Sequence, residues 1–422
     1  MSDAGSHKSG GLFYGWVVVA AAAVGLFLGF VPILGFTFSV FFKAVATEFH
    51  WNRSEISLGF SLSLLALSLA LPFSGKMVDK LGARRVIIPG AVLFGLGLMA
   101  FILLTNRLWQ FYLTYVFIGF VGSGTASIPY NKVISCWFDR RRGLALGVAM
   151  GGAGLGSSLM PYLAHSLIVS SGWRMAYFVI GLIVIVITVP VVALFLKERP
   201  SSRELQADGE APSEEPTLPK DLQGVTAAEA RHSSTFWLMC TSFFLMSVTL
   251  CGCMIHMVPM LTDRGISGNA AALAASVLGA ATLLGRVGTG YLLDRFAAIW
   301  VAIILFSLAA AGIALLWSGI NGAGAFLAAF LVGMGMGAEG DIMAYMVSRY
   351  FGMRSFGEIY GWCLTIYTLG AIIGPMVMAA GFDTTHSYNI VMGPFFVASI
   401  VAALLMKQLG PYQVWQAATK SA

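Results

Sequence analysis

Charge is scarce in this chain. Only 10% of its 422 residues are Asp, Glu, Lys or Arg, 58% are hydrophobic, and the mean hydropathy is +0.83. That is too little polar surface to coat a soluble globule of this length, so lipid must cover it. Strict period-two polarity is also missing, which excludes a transmembrane barrel and leaves helices to satisfy the backbone in lipid. The five cysteines (Cys136, Cys240, Cys251, Cys253, Cys363) are odd in number and mostly fall in apolar runs, as reduced fillers. Cys251 and Cys253 are two apart and point to different helix faces, so they make a poor metal pair. No metal or cofactor is expected. There is no GxxxxGK[ST] loop, no nucleophile with its base and no basic module outside the apolar runs, so ATP, enzymatic chemistry and nucleic acid have no support. The start, MSDAGSHKSGGLFYGWVVV, lacks the cleavage pattern of a secretory signal, so the first apolar run is expected to remain as helix one.

What is present is apolar runs of crossing length, roughly 20 residues or more. Twelve are predicted, at about 15–42, 54–74, 84–104, 108–131, 143–167, 172–196, 235–260, 270–293, 297–318, 322–347, 357–381 and 386–407. The chain is also duplicated. GKMVDKLGARR at Gly75 to Arg85 returns shortened as GYLLDR at Gly290 to Arg295, placing Asp294 215 positions after Asp79. SCWFDRR (135–141) and SRYFGMR (348–354) place Phe351 213 positions after Phe138. The predicted fold is an all-α membrane protein of two pseudo-symmetric six-helix bundles, 15–196 and 235–407, fused in parallel. A short segment (1–14) precedes them and a tail (408–422) follows. The stretch 197–234 is polar, contains proline and reads as a flexible linker.

Orientation follows from the basic residues. Of 25 Lys and Arg, 19 fall in the terminal segments, the even-to-odd loops and the linker; Lys43, Arg53, Arg107, Arg174 and Arg264 lie on the other side, and Arg286 within a span. Both termini are therefore expected in the cytoplasm, in a multi-pass protein of the cytoplasmic (inner) membrane. The formal charge of +6 arises from this asymmetry.

In GKMVDKLGARR the glycines permit close backbone approach, Asp79 can meet a helix N-terminus or a neighbouring Arg, and Arg84 and Arg85 lie at the lipid headgroups. The order of Gly75, Asp79, Lys80, Gly82, Arg84 and Arg85 resembles the signature of the major facilitator superfamily between helices two and three. The resemblance implies a conformational latch formed by these residues, with Gly290, Asp294 and Arg295 as its second copy. A narrower match lies at 137–156, WFDRRRGLALGVAMGGAGLG, where Arg140 to Arg142 cap the helix end and a glycine and alanine face follows that packs closely. It resembles helix five of the monocarboxylate transporter branch and its oxalate/formate antiporter relatives. YGWVVV (14–19) matches that branch's helix-one motif in part.

Arg286 is the sharpest chemical clue, about two turns inside helix eight. A charge at such depth costs about 2.5–3.5 kcal/mol on insertion scales, so it faces a wet cavity or a partner. The guanidinium fork suits a carboxylate; a salt bridge to Glu339 or Asp341 is the structural alternative. The monocarboxylate branch carries an Arg here, and the resemblance implies that Arg286 holds the substrate carboxylate. An acid one turn earlier and a helix-one lysine, frequent in that branch, are replaced by Thr282 and approximately Phe36. Proton coupling then falls to Glu339 or Asp341 in helix ten, one titrating while the other caps a neighbouring backbone or joins the latch; both being structural is the alternative. His256, Tyr130, Asn131, Tyr345, Trp362 and Tyr367 are further cavity candidates, His256 through its likeness to a histidine of bacterial relatives, although a satisfied hydrogen-bonding histidine and ordinary aromatic packing compete. The expected activity is secondary transport of a small organic monocarboxylate anion with a proton by a monomeric unit in membrane lipid. Organic anion exchange and export of a larger neutral or amphipathic solute are the alternatives.

Overall fold

The computed structural model describes residues 13–51, 53–138, 141–198, 224–320, 322–410 and 412. Residues 199–223 of the predicted linker, Arg140 and most of the tail therefore lie outside the described residues. In chain order the crossing helices are α1 (Tyr14–Phe38), α2 (Arg53–Leu81), α3 (Arg84–Leu103) and α4 (Leu108–Trp137). The run Arg142–Phe195 holds 54 residues, more than two crossings' worth. Gly172, at φ 81 and ψ 161, breaks it into α5 (142–171) and α6 (173–195). Then follow α7 (Ser234–Asp263), α8 (Gly268–Leu293), α9 (Ala298–Trp317), α10 (Ala323–Tyr350), α11 (Phe356–Thr385) and α12 (Asn389–Lys407). The sequence calls for a separating stretch between helices five and six, but one glycine makes the turn.

Helix α1 also departs from expectation. It is α-helical to Phe27, widens to a π turn over Val31–Gly35 and continues helically from Phe36 to Phe49, past the predicted end at 42. Pro32 in that segment cannot donate to the preceding turn, a recognised cause of such local widening.

One end of the molecule, the basic end, carries Arg84, Arg85, Arg142, Arg295, Arg349 and Arg354. At the opposite end Glu48 accepts hydrogen bonds from Trp173 and Arg174, and Arg174 also donates to the Leu104 carbonyl at 3.0 Å. The Arg174 guanidinium lies over the Trp173 and Phe49 rings, and its hydrogen bond holds the Glu48 carboxyl below the ordinary glutamate value. This clip joins the α1 extension, the exit of α3 and the α5–α6 corner.

The end of the linker is more ordered than its composition suggests. Val225 N–H donates to the Phe351 carbonyl at 3.0 Å, and Thr226 and Glu229 form a reciprocal capping box that starts a short helix, Ala227–His232. Local capping and docking on the α10–α11 loop succeed here without large apolar residues.

Gly172 occupies a backbone region essentially closed to residues with a Cβ, although open space surrounds it. Gly172→Ala is expected to cost about 1–3 kcal/mol and to lower the unfolding temperature in detergent. An unchanged melt would show that the corner relaxes freely.

Candidate functional site

The two bundles meet along two seams, α2 against α11 and α5 against α8. A carboxylate closes each seam. Asp79 accepts from the backbone N–H groups of Gly357 and Glu358, both at 2.9 Å, and from Lys132 at 2.8 Å. Asp294 accepts from the N–H groups of Gly143 at 2.7 Å and Leu144 at 2.9 Å. In each case these are the second and third residues of a helix, α11 and α5, whose own preceding residues, Ser355 and Arg141, make no side-chain cap. Each aspartate thus caps a helix of the other bundle, at the positive end of its dipole. The contact requires bare backbone: a Cβ on Gly75 would collide with the Gly357 carbonyl, and one on Gly143 with that of Gly290. Burial pushes the Asp294 carboxyl above the ordinary aspartate value, while the Leu144 and Gly143 amides pull it back.

Arg142 departs from the surface cap expected of it. It is 5% exposed and turned inward, donating to Phe138 and Ser135 carbonyls and, across the seam, to Ser348 Oγ of α10 at 2.9 Å. A second cross-bundle node is Tyr360 of α11, whose hydroxyl receives Asn131 Nδ2 of α4 at 3.1 Å and meets Ser127 Oγ at 3.4 Å. Deeper still, Thr365 Oγ1 donates to the Ser68 carbonyl at 2.7 Å. These bonds lie between mid-bundle and the basic end.

Above the seams sit the interior charges. Helices α8 and α10 touch backbone to backbone at Gly285, Gly333 and Gly337, the last against Thr282 and Arg286. Arg286 is half-buried with Nη1 unpartnered, and no ion pair joins it to Glu339 or Asp341. Both carboxylates are fully buried and within electrostatic range of its guanidinium. Glu339 Oε2 accepts the Tyr367 hydroxyl at 2.8 Å; Glu339 Oε1 and both Asp341 oxygens have no hydrogen-bond partner. Neither acid caps a backbone or enters the seam contacts, unlike the division of roles expected for helix ten. Thr282 donates to the Leu278 carbonyl one turn back in its own helix.

The remaining candidates are placed elsewhere. His256 bridges Tyr388 Oη at 3.4 Å and the Pro375 carbonyl at 3.2 Å, toward the opposite end of the second bundle, an arrangement of a satisfied histidine. Tyr345 is buried under the Arg349 guanidinium, one turn past Asp341 toward the basic end. Tyr130 is enclosed against Gly25 of α1 with an unpartnered hydroxyl. Lys80, Arg84 and Arg85 flank the seam without entering it, and the Arg295 guanidinium lies over the Tyr291 ring at 4.3 Å. Lys132 and Tyr360 were not singled out by sequence; the one signal was that each is polar within an apolar run. Among the described residues no three His, Cys, Asp or Glu side chains gather where they could hold a metal ion.

Two helical bundles joined along glycine-lined seams, with charges held in the apolar interior, define a membrane transporter rather than an enzyme. The chain belongs to the Major Facilitator Superfamily, whose family profile matches residues 16–375. It is 27% identical over 392 residues to human monocarboxylate transporter 11, covering 89% of this chain and 79% of that protein. It is 24% identical over 343 residues to the uncharacterized MFS-type transporter YhjX of Escherichia coli K12, covering 80% and 81%. Among solved structures it is similar in fold to the transporter FucP in its outward conformation, with TM-score 0.71, 16% identity and coverage of 93% and 99%. The human organic anion transporter MFSD10 has TM-score 0.70 and 15% identity, with coverage of 93% and 99%.

If the glycine contacts hold the basic end closed, Gly143→Leu must separate the α5–α8 seam. In a cysteine-free background a cysteine at buried Ser135 is then expected to react with a maleimide at least about tenfold faster beside Gly143→Leu, as a shift of about 1.4 kcal/mol in opening would give. Equal rates would mean that the seam closes without them.

Proposed function

We propose that this protein is a secondary carrier for a small organic monocarboxylate anion, moved together with a proton by alternating access across the cytoplasmic membrane. The single observation that carries this reading is Arg286, a permanent charge in the membrane interior, unpaired at Nη1 and beside two carboxylates that it does not bridge. A substrate carboxylate offers the bidentate partner that the fork lacks. The names of relatives such as human monocarboxylate transporter 11 favour the same substrate class.

Coupling follows from competition for that charge. While Asp341 or Glu339 is ionised it offsets Arg286, and an incoming anion meets a weakened field. A proton on the carboxylate frees the guanidinium for the substrate. Anion and proton then cross as a neutral pair, so uptake follows the pH gradient. The basic end, which by its Lys and Arg content is the cytoplasmic side, is closed by the Asp79 and Asp294 contacts, so we assign this structure to the state open to the outside. Asp79 and Asp294, with Gly75 and Gly290 in backbone contact across the seams, are read as the latch that this state engages, and Lys80, Gly82, Arg84, Arg85 and Arg295 flank it. The carrier works as a monomer, with both termini inside.

Arg286→Ala is expected to abolish carboxylate uptake into vesicles reconstituted with folded protein, and Arg286→Lys to keep part of it, since charge remains but the fork is lost. Near-normal uptake by Arg286→Ala would remove the substrate role.

Asp341→Asn or Glu339→Gln is expected to leave exchange of labelled for unlabelled substrate intact and to block accumulation driven by an imposed pH gradient, because exchange needs no proton release. Normal accumulation in both variants would return helix ten to a structural role.

A further inference from the structure

We propose that the cleft between the start of α3 and the end of α6 is a binding site for one anionic phospholipid, its phosphate held by Arg84, Arg85 and Lys197 and its acyl chains laid along the two helices below. The cleft encloses about 840 Å³ at the basic end, with the three cationic side chains above an apolar floor of Ile88, Pro89 and Leu196. Its one acid, Glu198, is already engaged. The carboxylate accepts the Arg84 backbone N–H at 2.9 Å and lies against Gly82, whose φ of +91 and missing Cβ make room for it. Glu198 therefore caps α3 in place of Ala83, which offers no side-chain cap. Among the described residues neither the Arg84 nor the Arg85 guanidinium has a hydrogen-bond or ion-pair partner. Lys197 is placed rather than loose: its carbonyl accepts the Trp137 indole N–H at 2.7 Å and its ammonium lies 4.1 Å from the Tyr14 ring centre.

The occupant is decided by what lies beneath the charges. Arg85, Pro89, Leu93 and Leu96 are exposed and follow one another at spacings of four, four and three, which puts them on one face of α3. Ile187, Pro190 and Leu194 do the same on α6, at spacings of three and four, and exposed Lys197 follows two residues past the end of that helix. Each helix thus presents a cation at the basic end and an apolar strip running from it into the membrane. Inorganic phosphate or a soluble anion has no use for the strips, and a zwitterionic lipid carries a cation into a site already rich in them. A phospholipid with net negative charge satisfies both parts.

The test uses the full-length protein in detergent, titrated with phosphatidylglycerol, phosphatidylcholine or inorganic phosphate, with bound lipid counted by native mass spectrometry and unfolding temperature as a second readout. Phosphatidylglycerol is expected to be retained and to raise the unfolding temperature. Arg85→Gln and Lys197→Gln should each weaken retention about fivefold, and the triple Arg84→Gln/Arg85→Gln/Lys197→Gln variant roughly a hundredfold, at about 1 kcal/mol per surface cation. Lys197→Gln alters only an exposed side chain, so it keeps the test informative if the triple variant fails to fold. Equal retention of phosphatidylcholine, undiminished phosphatidylglycerol binding by Lys197→Gln and Arg85→Gln, or an equal thermal shift from inorganic phosphate would each overturn the assignment.

Discussion

A carboxylate from one bundle set against the free amides at the start of a helix in the other is the interaction on which this structure turns. The first residues of a helix have no intrahelical acceptor, and in a membrane protein water is a limited substitute. Asp79 and Asp294 supply acceptors to α11 and α5. A hydrogen bond to a charged group contributes about 1.5–3 kcal/mol, and conformers of a switching protein differ by only a few kcal/mol. One such cap is therefore large enough to decide which state is populated. The glycines facing these caps exist for the same reason, since the amides are within reach only where backbones touch. Because Asp79 and Asp294 stand at matching positions of the duplicated halves, the closure is applied twice, on either side of the pseudo-symmetry axis.

The interior charges obey the opposite logic. Arg286, Glu339 and Asp341 lie where an isolated charge is costly, yet they do not collapse into an ion pair. The tight glycine contacts of α8 on α10 fix the backbones, and Tyr367 holds one oxygen of Glu339. A fully formed pair would be a structural rivet. An incomplete one leaves the region responsive to whatever charge enters it.

Much of this was legible in the sequence, and the failures share a cause. Crossing helices follow from long apolar runs, and the duplication from the repeated Gly and Asp spacing, because both are local patterns. Asp79 and Arg286 stand out in the sequence because charge is so rare here. Where each side chain points was not. Arg142 sits in a run of basic residues that reads as a solvated helix cap, but Ser348, some two hundred positions later, draws it inward. Tyr360 looks like any aromatic of an apolar helix until Asn131 of the other half is beside it. His256 and Tyr345 were plausible by type and depth; partners at Tyr388, Pro375 and Arg349 placed them elsewhere. The break between helices five and six was legible to within a few residues, since Ser170 and Ser171 interrupt the apolar run just before Gly172, but that one glycine makes the whole turn was not.

The clip of Glu48, Trp173 and Arg174 lies far from every charge discussed above, yet it bears on how the halves can move. It fastens three separate crossings of the first bundle at the end where no aspartate cap joins the bundles. Fastened there, those helices cannot splay one by one when the seams part. The clip ties the first bundle into one braced unit at the end remote from Asp79. The second bundle carries a clip of its own at that end, where Arg264 at the close of α7 donates to the Leu316 carbonyl of α9 and to Asn389 Oδ1 of α12, so each half is braced across its far rim.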